Sequence, residues 1–181
     1  MPPAVRPARA ASEAAHRHDS LALIGFMGSG KSVVGALVAE RAGAQFLDLD
    51  LMIASEAGMS VPDIFAGRGE AAFRTLESRL LPSALQPGAV AALGGGTAMD
   101  DGNWQLIGER AISVYLEVPF EVIWRRIQGS RDRPLIAGRS RDEVEDLFVR
   151  RRIRYEQASH RVDADRPPDT VAADVLALWS D

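Results

Sequence analysis

The stretch LALIGFMGSGKSVVGALVAERAG, residues 21–43, sets a short apolar run, a glycine-rich turn and a longer helix-forming run side by side. LALIG reads as a buried first strand, and KSVVGALVAERA reads as a helix ended by Gly43. Between them Gly25, four intervening residues, Gly30, Lys31 and Ser32 match G-x-x-x-x-G-K-[ST] in the strand-to-helix setting that this pattern requires. Glycines at 25, 28 and 30 let the backbone turn so that its N–H groups face one point at the start of the helix. The helix dipole favours an anion there as well, so the turn reads as a phosphate cradle.

Lys31 is the only lysine in the chain, which otherwise uses arginine for every long-chain cation. A composition that replaces lysine wherever either cation serves has kept it here. A compact ammonium enters a backbone cradle as a point charge, whereas a planar guanidinium would collide with the walls.

Outward from this unit the strand and helix signals alternate. AQFLDLD (44–50), AVAAL (89–93), AISVYLEV (111–118) and HRVDA (160–164) read as further strands. Helices are expected near SVPDIF with Ser60 as N-cap, across EAAFRTLESRLLPSAL with a bend or end at Pro82, from Pro119 through FEVIWRRI, over EVEDLFVRRRIRYEQAS, and after Pro168. The expected fold is α/β, with about five parallel strands, helices on both faces in three layers, and ligands at the carboxyl ends of the strands. Residues 1–20 carry no strand pattern or sustained apolar face and read as a flexible tail before one domain, 21–181. The polar, arginine-rich segment 128–142 reads as a mobile loop.

The length, 181 residues, and a composition of 46% hydrophobic and 25% charged residues suit one globular domain. A net charge of −4 provides no basic field for nucleic acid or an anionic membrane. With no cysteine, disulfides and thiolate chemistry are excluded, and a reducing cytoplasm is the expected setting. No window approaches the roughly 20 apolar residues of a membrane helix.

Asp48 and Asp50 lie two apart at the end of the second expected strand, so strand geometry would aim both side chains at one face. One carboxylate beside a nucleotide can hold Mg²⁺ through water, and another can accept a hydrogen bond from an attacking hydroxyl. Taken with GEAAFR (69–74), GGG (94–96), RPL (133–135) and an arginine four residues before Tyr155, FLDLD (46–50) resembles the shikimate kinase family of small P-loop kinases. The resemblance runs from Leu21 to the C-terminus and implies a P-loop kinase fold with a mobile lid at 128–142.

That resemblance implies ATP-dependent phosphorylation of the 3-hydroxyl of shikimate, giving shikimate 3-phosphate and ADP on the route to chorismate and aromatic amino acids. It implies ATP contacts at Gly28, Ser29, Gly30, Lys31, Ser32 and Val33, with Arg126, Arg166 and Pro168 flanking the adenine. Asp50 would bind the acceptor and orient or deprotonate its hydroxyl. Ser32 and Asp48 would form the Mg²⁺ environment, and Lys31 and the lid's Arg133 would reach the transferring phosphate. Arg74 and Arg151 would clamp the substrate carboxylate, and Gly95 would offer its N–H. A monomer is expected, acting on ATP and shikimate.

The residues leave some alternatives open. Arg74 has a local partner in Glu77 or Ser78. In the run Arg150–Arg152, Arg151 is preferred because it shares a helix face with Tyr155, and Arg152 is the replacement. The chain also departs from the family at Leu49, where Thr or Ser is common, at Ala54, and at Ile153–Arg154, where Pro-Leu precedes the tyrosine. A related small-molecule kinase, such as one for gluconate, or a nucleotide-binding module without turnover would share the phosphate loop. If Lys31 is retained for fit, Lys31→Arg should lower turnover by about a hundredfold or more, as loss of a transition-state cation does. Steady-state kinetics with normal turnover would refute the steric account.

Overall fold

The structure is a computed structural model that describes residues 19–129 and 134–180. Its sheet has five parallel strands in the order β2-β3-β1-β4-β5. These are β1 (Ser20–Ile24), β2 (Phe46–Asp48), β3 (Val90–Ala92), β4 (Ala111–Glu117) and β5 (His160–Asp163). The central β1 pairs Leu21, Ala22 and Leu23 with Val90, Ala91 and Ala92 on one side and with Ile112, Ser113 and Val114 on the other. Covered on both faces, it needs no polar alternation, which is why SLALI is buried throughout.

Seven α-helices complete the described fold: α1 (Lys31–Ala42), α2 (Leu49–Ala57), α3 (Val61–Ala84), α4 (Asp101–Arg110), α5 (Phe120–Ile127), α6 (Arg141–Tyr155) and α7 (Pro168–Ser180). Helices α1 and α7 pack together. Right-handed crossovers place α1 on one face of the sheet and the β3-to-β4 and β4-to-β5 connections on the other, because these run across the sheet in the opposite direction. The result is three layers.

The strand and helix order matches the sequence reading, with four differences. Ser20 belongs to β1 rather than to the tail: it is fully buried and its hydroxyl donates to the Ala89 carbonyl. The second strand ends at Asp48, where the carboxylate accepts from the N–H groups of Asp50 and Leu51 and caps α2. A cap of this kind turns the alternating LDLD into the start of a helix that the sequence reading did not expect. Helix α4 escaped the sequence reading because Gly102, Asn103 and Gly108 are weak helix formers; the Asp100 side chain starts it by accepting from Asn103 N–H. Finally, α6 begins at Arg141 on a capping box of Ser140 and Glu143, so the last two residues of the expected lid belong to its first turn. Of the expected tail, residues 1–18 lie outside the described residues.

Helix α3 covers both segments expected between 60 and 85. At Gly69 (φ 80, ψ 168) the backbone leaves helical geometry, so the two are separated by a kink; Pro82 lies inside the helix, near its end. Only glycine takes that conformation at little cost.

Helix α1 lies close against the sheet because Gly35 has no side chain. A β-carbon there would sit 2.5 Å from Phe46 Cε2 and 3.3 Å from Leu23 Cδ1. Gly35→Ala should therefore destabilise the protein by about 1–3 kcal/mol through overpacking, despite alanine's better helix propensity. Urea denaturation showing a gain in stability would contradict that tight packing.

Candidate active site

The turn from Gly25 to Gly30 leaves the carboxyl end of β1 and opens α1. Gly30 holds the N-cap position in a left-handed conformation (φ 94, ψ 13) and has no side chain to cap the helix. The first intrahelical bond is made by Val34 N–H to the Gly30 carbonyl, so the amides of Lys31, Ser32 and Val33 precede it. They form the floor of a cavity of about 380 Å³ that Gly28, Asp48, Asp50, Gly94 and Gly95 also line. The Lys31 ammonium bends back over the loop, donating to the carbonyls of Gly25 (2.9 Å) and Phe26 (3.0 Å). Ser29, buried beneath the loop, lies 3.5 Å from it.

Ser32 and Asp48 meet at the rim of this cavity, the serine hydroxyl donating to Asp48 Oδ2 at 2.6 Å. The side-by-side placement expected for Asp48 and Asp50 arises differently from the sequence argument. Asp48 caps α2, and Asp50 sits in that helix's first turn. The two carboxylates converge through a cap rather than through strand pleat.

A second, smaller cavity of about 110 Å³ adjoins the first, sharing Met27, Asp50, Gly94 and Gly95 with it. Arg74, Glu77 and Arg151 supply its polar lining, Phe65, Phe73 and Val61 an apolar wall, and Pro134 and Leu135 close it. Within the run of arginines, Arg151 is the buried one, with its guanidinium over the Phe26 ring at 5.8 Å. Arg150 and Arg152 are exposed.

Two buried side-chain atoms among the described residues have no hydrogen-bond partner: Asp50 Oδ1 and Arg151 Nη1. Both belong to residues lining this small cavity. Leaving a buried polar atom unpaired costs about 1–3 kcal/mol, more for a charge. An acceptor and a donor held at that expense in one cavity mark a place for a polar ligand.

Burial, reinforced by the charges of Asp48 and Glu77 and opposed by Lys31 and Arg74, pushes the Asp50 carboxyl up to about 6. Burial also holds the Arg151 guanidinium below its ordinary value. For Arg74 burial acts in the same direction, but Glu77 and Glu70 outweigh it and raise the group. Arg74 Nη1 donates to Glu77 Oε2 at 2.8 Å and Nη2 to Glu70 Oε1 at 3.2 Å, so it has the local partner that its spacing offered and still lines the cavity.

Gly94–Gly96 run between these groups. A β-carbon on Gly96 would fall 2.5 Å from both terminal nitrogens of Arg74, and one on Gly95 3.3 Å from Arg151 Nη1. The Gly95 carbonyl accepts from the Tyr155 hydroxyl, tying the turn to α6. Sequence reasoning did not assign roles to Glu77, Thr97 or Tyr155. Two local spacings pointed at two of them: Glu77 three residues after Arg74, and Tyr155 four residues after Arg151.

Of the residues expected around adenine, Arg126 donates to the Gly28 carbonyl at 3.0 Å and lies 3.7 Å from Asp165. Arg166 pairs with Asp174 at 2.6 Å. Pro168 opens α7, and Val33 is exposed in the first turn of α1. Arg133 lies outside the described residues.

A phosphate loop behind the central strand of such a sheet, sharing a carboxylate with a neighbouring acceptor cavity, defines the P-loop kinases of small molecules. The family model for shikimate kinase matches residues 27–179, and the chain belongs to that family. A shikimate kinase of Salinibacter ruber is 42% identical over 167 residues, covering 86% of this chain and 82% of the relative. One from Aquifex aeolicus is 37% identical over 155 residues, covering 85% and 92%. The solved structure of shikimate kinase from Acinetobacter baumannii in complex with shikimate aligns with TM-score 0.85 at 31% identity, over 92% of this chain and 96% of that one. A gluconokinase from Sinorhizobium meliloti, at 18% identity and TM-score 0.53, shares the fold alone.

The Asp50 carboxyl titrates near 6 in the folded chain against an ordinary value of 3.8. A raised carboxyl favours the folded state fully below about pH 4, and this advantage is lost as pH rises through about 6. By pH 8 the ionised group costs on the order of 3 kcal/mol. Asp50→Asn should thus stabilise the metal-free protein by about 2 kcal/mol at pH 8 and by nothing near pH 4. Equal shifts at both pH values in urea titrations would show that Asp50 is not strained by burial.

Proposed function

We propose that this chain transfers the γ-phosphate of ATP to the 3-hydroxyl of shikimate, giving shikimate 3-phosphate and ADP. The observation that carries this reading is the pair of unpartnered buried atoms, Asp50 Oδ1 and Arg151 Nη1, in a cavity that opens onto the phosphate loop. Shikimate has a carboxylate at one end of a compact ring and hydroxyls at the other. Such an acceptor matches fork-shaped cations and a carboxylate in one small cavity. Family membership, and the Acinetobacter baumannii relative solved with shikimate, support the same choice.

In this reading the amides of Lys31, Ser32 and Val33 and the Lys31 ammonium hold the β and γ phosphates. Arg74 and Arg151 fix the acceptor's carboxylate, and Gly95 offers its N–H. Asp50, ionised above about pH 6, accepts the hydrogen bond of the attacking hydroxyl and takes its proton. Because Asp50 lines both cavities, it stands where the acceptor meets the phosphate.

For Mg²⁺, the hard oxygens of Ser32 and Asp48 at the cavity rim fit. Two protein oxygens of this kind suit an ion held mostly by water and phosphate. When bound, it offsets phosphate charge. Segment 128–142 with Arg133 is proposed as the lid that excludes water, and Arg126, Arg166 and Pro168 as the adenine border. Every group invoked lies on one chain, so a monomer suffices. The proposed setting is the cytoplasm; among the described residues no helix is long and apolar enough to cross a membrane.

Purified protein with ATP and Mg²⁺ should release ADP only when shikimate is added, and gluconate should not replace it. Arg74→Ala should raise KM for shikimate by about tenfold or more with a smaller change in kcat, whereas Asp50→Asn should mainly lower kcat. Absence of shikimate-dependent turnover, or a normal KM in the arginine variant, would overturn the respective assignment.

A further inference from the structure

Arg74 is held from three sides, and one of the groups that hold it is itself held in place. Glu77 is almost fully buried, with both carboxylate oxygens engaged. Oε2 accepts from Arg74 Nη1 at 2.8 Å, and Oε1 accepts from the Thr97 hydroxyl at 2.6 Å. Thr97, fully buried, opens the short 3₁₀ turn Thr97–Met99 that follows the glycines. Its N–H bonds to the Gly94 carbonyl at 3.1 Å, and its own carbonyl accepts from the Asn103 side chain at 3.2 Å. The hydroxyl thus stands on a backbone fixed at both ends.

A carboxylate beside a guanidinium tends to take it with both oxygens, in two parallel bonds. Here the second oxygen is occupied, so Glu77 binds Arg74 through one nitrogen only. The Gly96 backbone meanwhile presses on the guanidinium, where even a β-carbon would come within 2.5 Å. Without the hydroxyl, Oε1 has no donor and the guanidinium is the nearest strong one. The pair would close into the two-bond form, drawing Nη2 from Glu70 and turning Arg74 away from the cavity.

We propose that Thr97 is a positioning residue for recognition of the acceptor's carboxylate: its hydroxyl keeps Glu77 on a single nitrogen of Arg74 and so leaves to the ligand the N–H groups of that guanidinium that Glu77 and Glu70 do not take. The assignment rests on the reading that the cavity takes a carboxylate-bearing acceptor. Thr97 touches neither substrate and acts through two side chains.

The test is steady-state kinetics of the full chain with ATP, Mg²⁺ and shikimate, comparing wild type with Thr97→Val and Thr97→Ser. The valine variant should raise KM for shikimate about tenfold, leave KM for ATP unchanged and alter kcat by less than about threefold, as loss of ground-state binding does. Its preference for shikimate over the corresponding carboxamide should fall about tenfold, since the lost interaction is with charge. The serine variant, which keeps the hydroxyl, should stay within about twofold of wild type on all four quantities. Thr97→Ala removes the same hydroxyl and reads the same ratios if the valine variant fails to fold. Wild-type turnover of shikimate tests the acceptor reading by itself. An unchanged KM and carboxylate preference in both hydroxyl-free variants, or an equal rise in KM for ATP, would overturn the role of Thr97 alone.

Discussion

Three successive residues without β-carbons let two guanidinium groups and two carboxylates pack around a single backbone turn. Any side chain on Gly96 would occupy the space of the Arg74 guanidinium, and one on Gly94 would come within 2.8 Å of Glu77 and 3.1 Å of Asp50. The smaller cavity exists because the backbone of β3 runs out into this turn and nothing projects from it. The turn is rigid because other elements pin it: the Tyr155 hydroxyl on the Gly95 carbonyl, and the Asn103 amide on the Thr97 carbonyl. One anchor comes from α6, 60 residues away, and the other from the first turn of α4, which follows at once. A peptide of this turn alone would have neither its shape nor its charges.

Electrostatics divides the site in two. Toward the phosphates the groups are paired before any ligand arrives: Ser32 with Asp48, and Lys31 with the loop carbonyls. Toward the acceptor, Asp50 and Arg151 each keep an unpaired buried atom. A buried donor and acceptor in one cavity would gain by bonding directly, and the glycine turn lies between the elements that carry them. The strain stored there is the kind that a ligand with matching ends relieves.

What was legible in the sequence follows the range over which each feature is specified. The phosphate loop is contiguous, so its residues and its strand-to-helix setting could be read directly, and the sheet followed from apolar runs bounded by turns. Arg151 could be chosen among its neighbours because a helix face is a local periodicity, which Tyr155 anchored. Asp48 and Asp50 were expected on one face of a strand and line one cavity from a helix cap instead, since the end of a strand and the start of a helix share the same short polar pattern. Contacts between distant residues were not legible: Thr97 with Glu77 across 20 residues, and Arg126 with the phosphate loop across 98. No periodicity connects such pairs; only the folded sheet brings them together.

The kink at Gly69 splits the wall of the smaller cavity into two panels. Val61 and Phe65 come from the part of α3 before it, and Phe73, Arg74 and Glu77 from the part after it. The apolar panel and the charged panel are joined by one residue whose backbone is not helical. The two panels still touch across the kink, where the Phe65 and Phe73 rings lie 4.8 Å apart. A change of side-chain size at Phe65 therefore reaches the Arg74 guanidinium through a single intermediary, the Phe73 ring that lies 5.3 Å from it, so the girth of the cavity and the set of its cation are linked at one aromatic contact.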